Sequence, residues 1–329
     1  MSMRPLLLAA AILAFVPALR AEEARAPADG ERERAAALAA ECERGAAIPL
    51  DPLAKAPPVQ YLELVPADFI MAPIETLAAT CAAAYQAATG DERLKLMALR
   101  TTAAASFDRP LAPLVPAVRD LAANGSAEAN YLLYAFYLAP ERAGQVEGAH
   151  HGIDREEAVA GLLAAAEAGH QSALLAVLEE ARNGPVLRRD AAEAVRAARR
   201  LESLPQQGPE PGASESEARA RGAGMLTYLL VVSDGLATSD YEEGFRRASA
   251  GAALAPQDFG FLLAVATRMG RGTAADLPKA RAMFEAEIAA DRWFGAAFLA
   301  EMLANGAGGA ADPKRALALL RDERARYGF

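Results

Sequence analysis

Aromatic residues are scarce, at 6% of the chain, and tryptophan occurs once. Alanine, not any of the β-branched and aromatic residues that favour pleated strands, is the largest contributor to the apolar content, which argues against a sandwich or barrel. There are only two cysteines and three histidines among 329 residues. Beyond the first twenty residues every apolar stretch is interrupted by Glu, Arg or Asp, so no later segment reads as a membrane-spanning helix. What is present is 53% hydrophobic residues with interspersed Leu, Glu and Arg. That excludes a disordered chain and points to closely packed helices. A chain this long does not form one compact core unless its architecture grows by repetition.

Met1 to Arg4 give a short basic start, Leu6 to Leu19 an apolar run, and Ala21 a small residue at a cleavage point. A run this short fits a secretory leader over residues 1–21 better than a spanning helix. No cysteine follows it closely, so a lipid anchor is not expected. The formal net charge is −9 and becomes more negative by two without Arg4 and Arg20. Such a balance opposes phosphate backbones and anionic lipid surfaces, so neither nucleic acid nor a membrane is an expected partner. A periplasmic or secreted protein, monomeric and without membrane insertion once the leader is gone, is the expectation.

An even cysteine count in an exported chain reads as one disulfide, Cys42 to Cys81, with two buried thiols as the other reading. The bridge would close a Pro-rich N-terminal segment, residues 22–91, containing Pro49, Pro52, Pro57 and Pro58.

Downstream, a period dominates. Asp154, Asp190, Asp240, Asp276 and Asp312 each precede a helical pattern and have Ala or Gly four places on. Three of the four spacings are 36 residues, and the fourth, 50, spans the Pro-, Gly- and Ser-rich stretch at 204–217. A period in this range signals a solenoid of helix pairs. Each aspartate suits a helix N-cap, and Gly270 and Gly306, also 36 apart, suit the C-caps of the preceding helices. The fold class expected is therefore all-α, a superhelical solenoid of antiparallel helix pairs. It would occupy residues 92–329 with about five to six repeats and loop insertions near 140–153 and 204–217.

Gly270-Arg-Gly272…Asp276-Leu-Pro-Lys279-Ala280 and Gly306-Ala-Gly308…Asp312-Pro-Lys-Arg315-Ala316 resemble the Sel-1-like repeat, a relative of the tetratricopeptide repeat. Ala166-Glu-Ala-Gly169-His-Gln-Ser-Ala173 looks like that family's junction between one helix pair and the next. Gly184-Pro185 lacks the second glycine, and Gly244 replaces an alanine. Cys42…Leu50-Asp51-Pro52…Cys81 resembles the cysteine-bearing segment ahead of such repeats in exported bacterial proteins. The resemblance implies an adaptor that binds a protein or peptide on its concave surface.

Catalytic motifs are sparse. Gly306-Ala-Gly308-Gly-Ala-Ala311 formally matches a dinucleotide loop, but it follows a helix and recurs at the repeat period, so no cofactor is expected. Phosphate-loop, Ser-x-x-Lys and Gly-x-Ser-x-Gly patterns do not occur. His150 and His151 read as a solvated loop pair and complete no metal-ligand spacing; His170 stands apart. Tyr131, Tyr134 and Tyr137 share one side of a helix and read either as inter-repeat packing or as a partner groove. No catalytic or metal residue is therefore assigned. The expected function is a non-enzymatic exported scaffold, with a hydrolase of cell-wall or β-lactam-like substrates as the alternative.

Overall fold

The computed structural model describes residues 29–51, 53–59, 64, 72–106, 110–139, 150–183, 187, 190–204 and 213–327. The expected leader, most of the 140–153 insertion and residues 205–212 of the second insertion lie outside the described residues. Among the described residues every regular element is helical: α1 Asp29–Ala46, α2 Ala72–Ala87, α3 Glu92–Ala105, α4 Val115–Ala123, α5 Ala127–Leu138, α6 Arg155–Glu167, α7 Gln171–Asn183, α8 Ala191–Glu202, α9 Ala213–Val232, α10 Thr238–Leu254, α11 Pro256–Met269, α12 Leu277–Ala289, α13 Ala296–Asn305 and α14 Pro313–Tyr327. No helix of these residues is long and apolar enough to cross a membrane.

The chain forms two compact units: residues within Met1–Arg188 and Ser203–Arg219, and residues within Arg189–Glu202 and Ala220–Phe329. The division falls near the second insertion. In the first unit α1 packs on α2 and both on α3, after which α4 to α7 follow, each against the next. Helices joined by short turns and packed on their sequence neighbours run antiparallel. The Cys42–Cys81 disulfide joins α1 to α2 with a Cα–Cα distance of 4.9 Å, and both residues are fully buried. Met97 Sδ of α3 lies 3.9 Å from Cys42 Sγ, so the bridge sits in the core and not at a free edge.

The second unit shows the repeat at its clearest. Helices α10 to α14 pack in sequence around Val231, Ala248, Leu262, Val265, Phe284, Leu299 and Met302. Its turns repeat bond for bond. Arg271 N–H donates to Ala266 O and Asp276 N–H to Thr267 O; 36 residues later Ala307 N–H donates to Met302 O and Asp312 N–H to Leu303 O. Gly270 and Gly306 close α11 and α13 at φ 68° and 69°. The second glycines, Gly272 and Gly308, have φ 73° and 74°, and an added Cβ would stand 2.3 Å from Tyr241 O and Leu277 O respectively. Positive φ and backbone contact together explain why the turn is Gly-x-Gly. Gly244, the departure from alanine, lies where a Cβ would stand 2.9 Å from Leu230 backbone atoms, so α10 approaches α9 more closely than alanine allows.

Four of the five expected caps form. Asp154, Asp190, Asp276 and Asp312 accept the backbone N–H groups of Glu157, Glu193, Lys279 and Arg315 at 2.8 to 3.0 Å. Asp240 does not cap. α10 begins earlier, at Thr238, so Asp240 lies in its first turn, and its carboxylate accepts from Arg199 at 2.8 Å instead. Asp91 and Ser126, which lie outside the period, cap α3 and α5. Asp276→Ala is expected to lower stability by about 1 kcal/mol, read as a shifted urea midpoint. Asp240→Ala should leave the start of α10 in place and lose its ion pair instead.

Candidate functional site

Two of the three tyrosines offered as partner contacts face inward. Tyr131 and Tyr134 are 3% and 5% exposed because α7 covers that side of α5. The Tyr131 ring stacks on His170 at 4.9 Å, and Tyr134 O–H donates to Glu180 Oε1 at 2.9 Å. Burial, and then the Glu180 carboxylate, raise the Tyr134 phenol above its usual range. These rings pack one repeat on the next, and a partner cannot reach them. Tyr137 is half-buried and stacks on His150 at 4.1 Å. The histidine pair is not solvated as expected. His150 Nδ1 lies 3.0 Å from Tyr137 O, and His151 is 3% exposed in a turn where both residues have positive φ.

Beneath the tyrosines lies a charge cluster that the sequence did not reveal. Arg100 on α3, Glu128 in the first turn of α5 and His170 at the start of α7 have side chains at 0% exposure. Glu128 Oε1 is 2.9 Å from Arg100 Nε, a charge contact off the line of an aligned hydrogen bond, and Oε2 is 2.7 Å from His170 Nε2. His170 Nδ1 accepts the Ala173 N–H at 3.3 Å, which leaves Nε2 as the protonated nitrogen that donates to Glu128. Burial opposes the Glu128 charge, but Arg100 and the His170 hydrogen bond outweigh it and hold this carboxyl below the usual range. Arg100 also donates to Ala46 O, Ala47 O and Val59 O. A second arginine, Arg93, binds Asp51 at 2.5 Å and Glu43 at 3.2 Å. Two arginines of α3 thus key the N-terminal segment onto the first repeats. The Glu–His contact resembles an acid–base pair in form, but its enclosure makes it a packing device.

Among the accessible features of the described residues are two that bring polar or aromatic side chains together. In the first unit a groove of about 490 Å³ runs past Pro49, Asp51, Arg93, Asn124 and Ser126. Its polar side chains are largely engaged: Arg93 with Asp51, Asn124 with Glu92 at 3.3 Å, and Ser126 with the Ala129 N–H. In the second unit, α11 and α13 present a partly exposed aromatic pair, Phe261 and Phe298, with ring centroids 5.9 Å apart. The Arg268 guanidinium lies 5.3 Å over the Phe298 ring and pairs with Glu301, itself 56% exposed, at 2.7 Å. Aromatic rings and an arginine at one surface are the residue types that dominate protein–protein contacts. Trp293 is 9% exposed, donates its indole N–H to Asp291 and lies beneath Arg326 at 4.9 Å. Among the described residues no three His, Cys, Asp or Glu side chains converge as a metal site would require.

No family model and no curated protein matches the chain. Among solved structures it is similar to a Sel1 repeat protein from Oxalobacter formigenes, at 18% identity over 64% of this chain and 77% of that one, with a TM-score of 0.34. It is also similar to a protective antigen present in uropathogenic Escherichia coli strains displaying an SLR fold, at 19% identity over 78% of this chain, with a TM-score of 0.36. This chain spans 54% of that antigen's length.

Proposed function

We propose that the chain is an exported, non-enzymatic scaffold that binds a protein or peptide through the exposed sides of its first-in-pair helices, with α11 and α13 as the main contact. The observation that carries this reading is the Phe261–Phe298 pair bridging consecutive repeats with Arg268 held across it. Rigid, amphipathic groups of this kind provide contact area without ordering long side chains. Export is supported by the short apolar leader and by a disulfide of the kind that persists in oxidising compartments. The hydrolase alternative gains no support from Glu128 and His170, the pair nearest to catalytic form, because both are enclosed.

Affinity capture from periplasmic extract, with wild type and a Phe261→Ser/Arg268→Glu variant compared by mass spectrometry, tests the proposal. A discrete set of proteins held by wild type and at least about ten-fold depleted by the variant is expected, as for loss of an interface anchor. Equal capture by both would move the binding surface elsewhere. Turnover of cell-wall material by the purified chain would overturn the non-enzymatic reading.

A further inference from the structure

A second groove in the first unit, of about 470 Å³, runs between α1, the start of α3 and the short segment at Lys55 and Ala56. Its volume falls within the range of small-molecule sites, about 300 to 1,000 Å³. The sequence leaves this space open. Ala36, Ala39 and Ala40 of α1 face it at helical spacing, and their methyl groups fill little of it. Ala36 and Ala40 are exposed and Ala39 is half-buried, so none of the three is enclosed by the core. Leu94 and Met97 of α3 form the floor at 5% and 1% exposure. Met97 also lies against Cys42 of α1 at 3.9 Å, so the floor and the α1 wall are packed together beside the disulfide.

Five charged residues line the same groove, and three of them are engaged with one another or with the backbone. Asp91 caps α3, accepting the N–H groups of Arg93 and Leu94 at 2.9 and 3.1 Å. Glu43 accepts from Arg93 at 3.2 Å and from the Lys55 backbone N–H. Arg93 divides its donors between Glu43 and Asp51. The other two are the Arg44 guanidinium and the Lys55 ammonium. Both residues are exposed, and neither charged group forms an ion pair among the described residues. Three cations thus stand against two carboxylates here, in a chain whose net charge is −9.

We infer that this groove binds an aliphatic carboxylate, a fatty acid whose tail lies along the alanine side of α1 and whose head meets Arg44 and Lys55. The uncommitted side-chain groups of the lining are cationic donors, and the remaining side chains are hydrocarbon. The complement is one anionic head on a tail that has nothing to hydrogen-bond. A peptide backbone fits poorly, because the flanks of α1 and α3 use their own N–H and C=O groups internally and alanine methyls cannot satisfy its amides. A cationic amphiphile would bring its charge against Arg44 and Lys55. The groove belongs to the first unit and does not involve Phe261, Phe298 or Arg268, so the inference stands apart from the scaffold reading.

Isothermal titration of the full chain with dodecanoate, kept below its micellar concentration, tests the proposal. Saturable binding to a single site is expected. Dodecyltrimethylammonium should not bind, and butyrate, which has the head and little of the tail, should bind far more weakly. Arg44→Glu/Lys55→Glu should weaken dodecanoate by about ten-fold or more through loss of the charge-assisted hydrogen bonds. The exchange Arg44→Lys/Lys55→Arg should retain binding. Ala36→Leu/Ala40→Leu should abolish it by filling the groove, with the helical circular dichroism unchanged because both positions are exposed. Absence of dodecanoate binding, or binding indifferent to either the glutamate or the leucine pair, overturns the proposal. Equal affinity for dodecyltrimethylammonium or for butyrate does so too, since head charge or tail would then not be read. Sedimentation with phosphatidylglycerol vesicles, lost on Arg44→Glu/Lys55→Glu and without binding of monomeric dodecanoate, would also overturn it by making the two cations a lipid-surface contact.

Discussion

Glu128→Ala is expected to destabilise the first unit by about 3 to 5 kcal/mol, the range for removing one partner of a fully buried charge group. Arg100 and His170 would remain enclosed without the carboxylate between them, and neither can reach solvent at 0% side-chain exposure. Arg100 would keep its carbonyl contacts to Ala46 and Ala47, but these neutral acceptors do not balance its charge. Trp293, the only tryptophan, lies in the second unit and separates the two regions spectroscopically. The far-UV melting curve should lose its first-unit component to lower temperature while the Trp293 fluorescence transition stays in place. A shift of equal size in both signals would show that the units unfold together and that the damage is not local. Arg100→Met combined with Glu128→Leu should recover much of the loss, since a packed apolar pair often replaces a buried ion pair at little cost.

The same carboxylate gives a pH signature. Its folded pKa lies below the unfolded value of about 4.3, so the unfolded state takes up the proton first as pH falls. The stabilisation is therefore complete above that unfolded value and is lost as pH drops through the lower folded one. Wild type should exceed Glu128→Gln in stability near neutrality, and the gap should narrow only in strongly acidic solution. A gap that stayed constant down to pH about 2 would remove the charge of Glu128 as its cause.

The repeat was legible in the sequence because it is written by residues with strict local requirements. Asp276 and Asp312 must accept N–H groups that nothing else satisfies, and Gly272 and Gly308 must adopt positive φ against a neighbouring backbone. Such demands recur from one unit to the next, most fully in the last two, and so leave a period. The Arg100, Glu128 and His170 cluster leaves none. Each of its members occurs at one place, on a different helix, and they converge only once the stack is built. Arg100 and Glu128 sit in helical patterns where a solvated face is the default reading of a charge. The tyrosine row was legible in part: spacing placed all three rings on one side of α5 and left packing and a partner groove as the two readings, but could not say that α7 covers that side. Asp240 shows the limit of the period itself. It lies in register, yet α10 begins two residues earlier and its cap position has passed to Ala237. Likewise Arg268 and Phe298 carry no motif, and they become a candidate surface only through a contact between helices 30 residues apart.

Removing the disulfide with Cys42→Ala/Cys81→Ala should cost about 3 to 4 kcal/mol on the loop-entropy account, given a separation of 39 residues. The loss belongs to the unfolded chain more than to the native contacts, so the location of the damage is informative. The bridge joins α1 to α2, while Arg93 and Arg100 independently fasten the following segment to α3 through Asp51, Glu43 and the carbonyls of Ala46 and Ala47. With the bridge absent these ties should keep the native helical signal nearly intact at 25 °C. The thermal midpoint of the first unit should fall and that of Trp293 should not, since helices of such arrays are buried mainly by their neighbours. Limited proteolysis should first cleave near Ala54 to Val59, where the chain is held by single hydrogen bonds and not by a helix. Complete loss of helical signal in the bridge-free variant would instead make α1 and α2 the nucleus on which the later helices assemble. Adding Arg100→Met to that variant separates the two fastenings. If bridge and arginine act on the same docking step, the combined loss should exceed the sum of the two single losses, because each alone leaves the other to hold the segment.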